Sequence, residues 1–120
     1  MSIGMGTMRI AALQMHAIAG DGEANMARIA AAAADAAAGG AKLLVVPELA
    51  VTGYGAGDAA FGRLASSATG DVAARLSAIA RDNTLAIIAG FAEQEGRTIY
   101  NSALFTDGIG TNAVYRKSPL

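Results

Sequence analysis

The chain has 120 residues, 53% of them hydrophobic and only 16% charged, with a formal net charge of −1 and no cysteine. That length supports one domain with a real core, and the near-neutral charge removes the electrostatic case for nucleic acid. The lack of Cys excludes a disulfide framework and any thiolate metal site, and His16 is the only histidine, which leaves few candidates for zinc.

Mean hydropathy is +0.39, high for a free-standing domain, although much of the apolar count is alanine. Such an excess fits a piece whose partner layer lies elsewhere, or a subunit that dimerises. No apolar run reaches the ~18 residues of a membrane-spanning helix. The alanine-rich region comes nearest, but Asp35 interrupts it and Gly39-Gly40 ends it. The N-terminus imitates a signal peptide, with Arg9, then Ile10 to Ile18, then Ala17-Ile18-Ala19 before Gly20. Gln14 and His16 break that apolar core and the segment alternates like a strand, so a cytoplasmic protein is expected.

Residues 1–7 have no periodicity and read as a flexible extension. Met8 to Met15 fits a first buried strand. Asp21 can cap the helix that follows, with Glu23 near the positive end of its dipole. The helix runs to about Ala38 and stops at Gly39-Gly40, which suit a left-handed C-terminal cap. Lys42 to Val46 is a second strand, which Pro47 terminates for want of an N–H. Gly53-Tyr54-Gly55-Ala56-Gly57 is a glycine-rich loop, and Asp58 to about Leu64 a short helix.

Asp71 is expected to cap a clearer helix from Val72 to Arg81, and Asp82-Asn83 to turn the chain into a third strand, Leu85 to Phe91. Glu95-Gly96 and Asp107-Gly108 support hairpin turns flanking Thr98 to Thr106 and leading into Thr111 to Lys117. The order is βαβ, a helix, then three strands joined by tight turns. That pattern predicts an α/β fold with a mixed β-sheet and helices, in one domain or part of one.

Two short segments, Leu43-Leu44-Val45-Val46-Pro47-Glu48 and Tyr115-Arg116-Lys117, each place one ionisable side chain, Glu48 and Lys117, just beyond an apolar run that reads as a buried strand. In open α/β sheets the carboxyl ends of strands are where ligands bind. A carboxylate and an ammonium brought together there can move a proton and hold developing negative charge. Taken singly, each residue is more often solvated surface charge than catalytic. The Gly53–Gly57 loop does not match the GxGxxG dinucleotide fingerprint, and His16 reads as a packed or partly exposed residue.

As an ordered set, the segments resemble the nitrilase, or carbon–nitrogen hydrolase, superfamily. Arg9 to Met15 is similar to its opening strand, and Asn25 falls where its first helix carries an Asn. Val46-Pro47-Glu48-Leu49 with Thr52-Gly53-Tyr54 resembles its glutamate motif. Tyr100-Asn101-Ser102-Ala103, then Asp107-Gly108 and Tyr115-Arg116-Lys117 with Leu120, resemble its lysine motif and the strand before it. The Gly-Tyr-x-x-Gly-Asp run from Gly53 to Asp58 looks more like the family's amide hydrolases than its aromatic nitrilases.

The resemblance implies half of a four-layer αββα sandwich, with residues 8–120 as the N-terminal part of the hydrolase domain. It also implies a small amide or nitrile substrate, homodimers or higher homo-oligomers, and no metal or organic cofactor. The chemistry implied is a Glu–Lys–Cys triad in which Glu48 is the general base and Lys117 stabilises the oxyanion. Tyr54 is a weaker candidate for the substrate pocket wall. In the family the nucleophilic Cys follows the lysine, so the 120-residue chain alone is expected to be inactive. The alternative is a truncated, non-catalytic binding or dimerisation module of the same fold.

Overall fold

The computed structural model describes residues 6–53, 55 and 57–120. Along these run β1 (Ile10–Ala12), α1 (Gly22–Ala38), β2 (Leu43–Val45), α2 (Asp58–Leu64), α3 (Asp71–Asn83), β3 (Ala86–Glu95), β4 (Thr98–Thr106) and β5 (Asn112–Pro119). The strands form a five-stranded sheet in the order β1-β2-β3-β4-β5. It is parallel from β1 to β3 and antiparallel from β3 to β5. Helical crossovers make the first pairings and tight turns the last two. This is the mixed α/β sheet that the sequence predicts.

Local chemistry sets the ends of α1. The Asp21 carboxylate accepts the Ala24 N–H at 3.0 Å as the N-cap. At the other end Gly40 takes φ +85°, its N–H bonds the Ala37 carbonyl, and the Ala41 N–H bonds that of Ala36. These paired bonds satisfy the last turn and need a residue at ease in the left-handed region.

Three boundaries differ from expectation. Asp71 is not the cap of α3 but its first residue; Gly70 holds the N-cap position, and the Ser66 hydroxyl accepts the Val72 N–H at 3.3 Å. Asp82 and Asn83 belong to the helix, and the chain turns at Thr84, which adopts φ +52° so that its own N–H and that of Leu85 return to Arg81 and Ala80. The first strand is three residues long rather than eight. It has β2 alone beside it, and bonds from Lys42 N–H to the Arg9 carbonyl and Leu13 N–H to that of Val45 finish the pairing before the chain leaves for α1.

Strand alternation gives the sheet two apolar faces. One presents Leu44, Ile87, Ala89, Phe91 and Leu104 to the inner sides of α1 (Met26, Ile29, Ala33) and α3 (Val72, Ala73, Leu76, Ala80), and this is the core. The other carries the register row Ala12, Val45, Ile88, Phe105 and Ala113, together with Ile10 and Tyr115. No element among the described residues covers that second face: Ile10, Val45 and Tyr115 are exposed, Tyr115 by 72%. The fold is a helix layer on a sheet whose opposite side is apolar and open.

Candidate active site

Glu48 lies just past β2, on a turn shaped by its neighbours. The Pro47 carbonyl accepts N–H groups from both Ala50 and Gly90 at 3.2 Å, and the Gly53 N–H closes onto the Leu49 carbonyl at 2.7 Å. Leu49 takes φ +49°, a region that costs a branched L-residue roughly 1–2 kcal/mol, and its side chain is buried together with Ala50, Val51 and Thr52. Buried apolar packing thus holds a strained turn beside the carboxylate, a pattern common at functional sites. Asn25 ties the turn to the first crossover. Fully buried, it accepts the Ile18 N–H at 2.7 Å and donates to the carbonyls of Ile18 and Val51 at 2.8 and 2.9 Å.

Lys117 reaches the same place from β5, the outer strand at the other edge of the sheet. The β4–β5 ladder pairs Ser102 with Arg116 but Asn101 with Ser118, so Lys117 is the extra residue of a β-bulge. Bulges re-aim side chains and recur beside active sites. This one sends the ammonium to Glu48 Oε1 at 2.7 Å across 69 residues of sequence. Asn101 Nδ2 donates to the same oxygen, also at 2.7 Å. The glutamate side chain is 36% exposed and that of the lysine 63%, so the pair opens to the uncovered face.

A cleft of about 200 Å³ lies at this junction, walled by Val46, Ile88, Gly90, Ala103 and Tyr115 around Glu48, Asn101 and Lys117. Its walls are apolar, with a cation, an anion and an amide converging at one end. Small-molecule sites have that composition. A carboxylate so held can accept a proton, and the ammonium can sit against a developing oxyanion.

The two residues singled out in the sequence therefore meet. Asn101 joins them through a contact that no local pattern in the sequence encodes, because it depends on β4 lying between β3 and β5. Its only signal was its place in the Tyr100–Ala103 segment. Tyr54 lies outside the described residues. His16 is exposed, and its carbonyl accepts from Arg28 at 3.1 Å. It lines a wide hollow of about 910 Å³ between the segment after β1 and α1. Among the described residues no group of His, Cys, Asp or Glu could hold a metal ion, and no helix is long and apolar enough to cross a membrane.

Fold and site together define a layered α/β scaffold with a Glu–Lys pair, the glutamate just past β2 and the lysine at a bulge near the end of β5. Residues 9–120 match the carbon–nitrogen hydrolase family, and the chain belongs to that family. It is 37% identical over 120 residues to the hydrolase in the pqqF 5′ region of Pseudomonas protegens, covering 98% of this chain and 41% of that protein. It is 31% identical to a nitrilase of Pyrococcus abyssi, covering 92% and 43% respectively. The chain thus spans less than half the length of these relatives.

Solved structures agree. A CN-hydrolase superfamily protein of Xanthomonas campestris, with an arsenic adduct in its active site, superposes with TM-score 0.81 over 94% of this chain and 41% of its own. At 22% identity it bears on fold alone. A mutant of the amidase of Nesterenkonia sp. AN1, from the nitrilase superfamily, is 32% identical with TM-score 0.71, over 92% and 42%. Another form of that amidase, 31% identical with TM-score 0.71 over 92% and 44%, shows Michael addition of acrylamide at its active-site cysteine.

Proposed function

We propose that this chain supplies the base and the oxyanion cation for cysteine-dependent hydrolysis of a small amide, with nitriles as the second substrate class. The observation that carries the reading is the 2.7 Å contact between Lys117 Nζ and Glu48 Oε1 at the mouth of an apolar cleft. The amide preference draws support from the Nesterenkonia amidase, whose active-site cysteine reacts with acrylamide. Residues 8–120 form the N-terminal part of the hydrolase domain in this reading. The thiol comes from a polypeptide segment other than these residues, since the chain has no cysteine.

In the proposed cycle Glu48 takes the thiol proton as sulfur attacks the amide carbon. The carbonyl oxygen becomes an oxyanion against the Lys117 ammonium, whose fixed charge is worth most where water is excluded. Collapse of the tetrahedral species breaks the C–N bond, and the proton held by Glu48 leaves with the amine to give ammonia and a thioester. Glu48 then deprotonates water, which attacks the thioester and releases the acid and the thiol. Asn101 holds the carboxylate in line through its 2.7 Å bond. A homo-oligomer is the proposed working state, consistent with the open apolar face of the sheet.

The test is ammonia release from a panel of small amides and nitriles by the longer polypeptide that contains this chain. Glu48→Gln should lower kcat/KM by about 10²–10⁴, and Lys117→Ala by about 10²–10³. Absence of ammonia and acid with every compound, or an unchanged rate in Glu48→Gln, overturns the reading.

A further inference from the structure

On the opposite side of the sheet from Glu48 lies a second charged cluster that the proposed chemistry does not use. Glu93 in β3 has a side chain only 3% exposed. It accepts Arg116 Nε and Nη2 at 2.9 Å each, a bidentate pair, and the Ser102 hydroxyl at 2.8 Å. Arg116 also pairs with Glu95, and its guanidinium lies 4.3 Å from the centre of the Tyr100 ring. Side chains of β3 and β4 thus converge on one arginine of β5, and that arginine immediately precedes Lys117.

The adjacency has a geometric consequence. β5 is an outer strand with a mostly exposed surface, and such strands are weakly specified in register. Arg116 is fixed against Glu93, and the residue next to it, the extra residue of the bulge, stands on the other face with Glu48 and Asn101. A slip of one residue would put Lys117 in the place of Arg116 against Glu93 and carry Arg116 to the place of Tyr115, so that no ammonium reached Glu48. Glu93 opposes that slip through fork geometry, since a guanidinium presents two parallel N–H donors to a carboxylate and an ammonium does not. The bulge falls at this point, between the Ser102–Arg116 and Asn101–Ser118 pairs.

We propose that Glu93, Ser102 and Arg116 form a register clamp for β5, and that Glu93 and Arg116 are positioning residues that deliver Lys117 to Glu48. The inference rests on the reading of Lys117 as the oxyanion cation. The clamp itself touches neither substrate nor reacting atoms.

The experiment uses the longer polypeptide carrying this chain, grown with lysine labelled with carbon-13 at Cε. The Lys117 signal is assigned by its loss in Lys117→Arg. In the wild type, Glu48→Gln should shift the Lys117 signal. In a Glu93→Gln background that response should fall to less than half, while circular dichroism and a cooperative melt show that the protein remains folded. Arg116→Lys, which keeps the charge and loses the fork, serves as the second variant and should give the same loss. In steady state either variant should lower kcat by about tenfold or more, as expected for a displaced catalytic group, with KM changed less than twofold. An undiminished response in both folded variants overturns the clamp and leaves the proposed function standing. A Lys117 signal that ignores Glu48 even in the wild type overturns both.

Discussion

A Cβ on Gly90 would lie 2.3 Å from the backbone nitrogen of Leu49 and 2.6 Å from the Glu48 Cα. The glutamate turn therefore rests directly on the bare backbone of β3, and the Gly90 N–H also bonds the Pro47 carbonyl. Any side chain at position 90 must push the turn outward.

Gly90→Ala should accordingly destabilise the protein by about 1–3 kcal/mol, the usual cost of overpacking, and move Glu48 away from Lys117. Gly62→Ala is the control, because a Cβ there meets nothing within 4 Å and removing a helical glycine stabilises by about 0.5–1 kcal/mol. Denaturant midpoints that shift in opposite directions for the two variants bear this out. Two shifts of the same sign would count against the close approach at Gly90.

Asn25 offers a test of how the crossover before α1 is tied to the glutamate turn. Its buried side chain satisfies the Ile18 N–H and the carbonyls of Ile18 and Val51. Asn25→Ala strips these partners and should cost about 3 kcal/mol. Hydrogen exchange should quicken at the Ile18 amide, whose acceptor is lost, while the Leu76 amide in mid-α3 slows or quickens only with global stability. Equal quickening at both amides would deny the local tie.

The pH dependence of stability should carry a mark of Glu93. Arg116 beside it holds its carboxyl below the usual 4.5, with a smaller contribution from Ser102 and an opposing one from burial. A depressed folded-state pKa means that the unfolded chain binds the proton more readily. The stabilisation is thus fully present above about pH 4.5 and is lost as pH falls through the lower folded value. Glu93→Gln should be less stable than wild type by about 2 kcal/mol at pH 7, and the gap should close on acidification below pH ~4. Glu23 and Asp107, likewise lowered, titrate in both proteins and cancel in the difference. A gap that stays constant down to pH 3 would refute the assignment.

How far these features could be read from the sequence depends on how local their causes are. The α1 caps at Asp21 and Gly40 are local, and so they were legible. Glu48 announced itself because four apolar residues and a proline fix where its strand ends. The α3 cap lies one position before the expected Asp71, since glycine also serves as an N-cap and the Ser66 hydroxyl takes the Val72 N–H from six residues upstream. The turn at Thr84 carries no signal in the sequence, because a β-branched residue rarely takes a left-handed conformation. Lys117 was marked by the ordered family resemblance, but its aim depends on a bulge opposite Asn101 and Ser102. The contacts of Glu93 with Arg116 and of Asn101 with Glu48 join residues 23 and 53 positions apart. No periodicity within either strand encodes such pairings.

The open face of the sheet leads to an expectation for residues 1–120 purified alone. Ile10, Val45 and Tyr115 are exposed there, on a face whose register row continues through Ile88 and Phe105. Burying apolar area contributes about 25 cal/mol per Å², while a domain's whole stability is only ~5–15 kcal/mol. A sheet with one face uncovered forgoes a large share of that stabilisation, and contiguous apolar patches drive association. The isolated chain should therefore be oligomeric, aggregated or loosely packed, should bind a hydrophobic dye, and should hydrolyse no amide for want of a thiol. Val45→Thr with Tyr115→Ser should raise the monomer fraction measured by light scattering, because both substitutions make that face more polar without touching the helix-side core. A monomeric wild-type sample with a sharp two-state melt and no dye binding would contradict this, and would favour a self-sufficient binding module over a hydrolase segment.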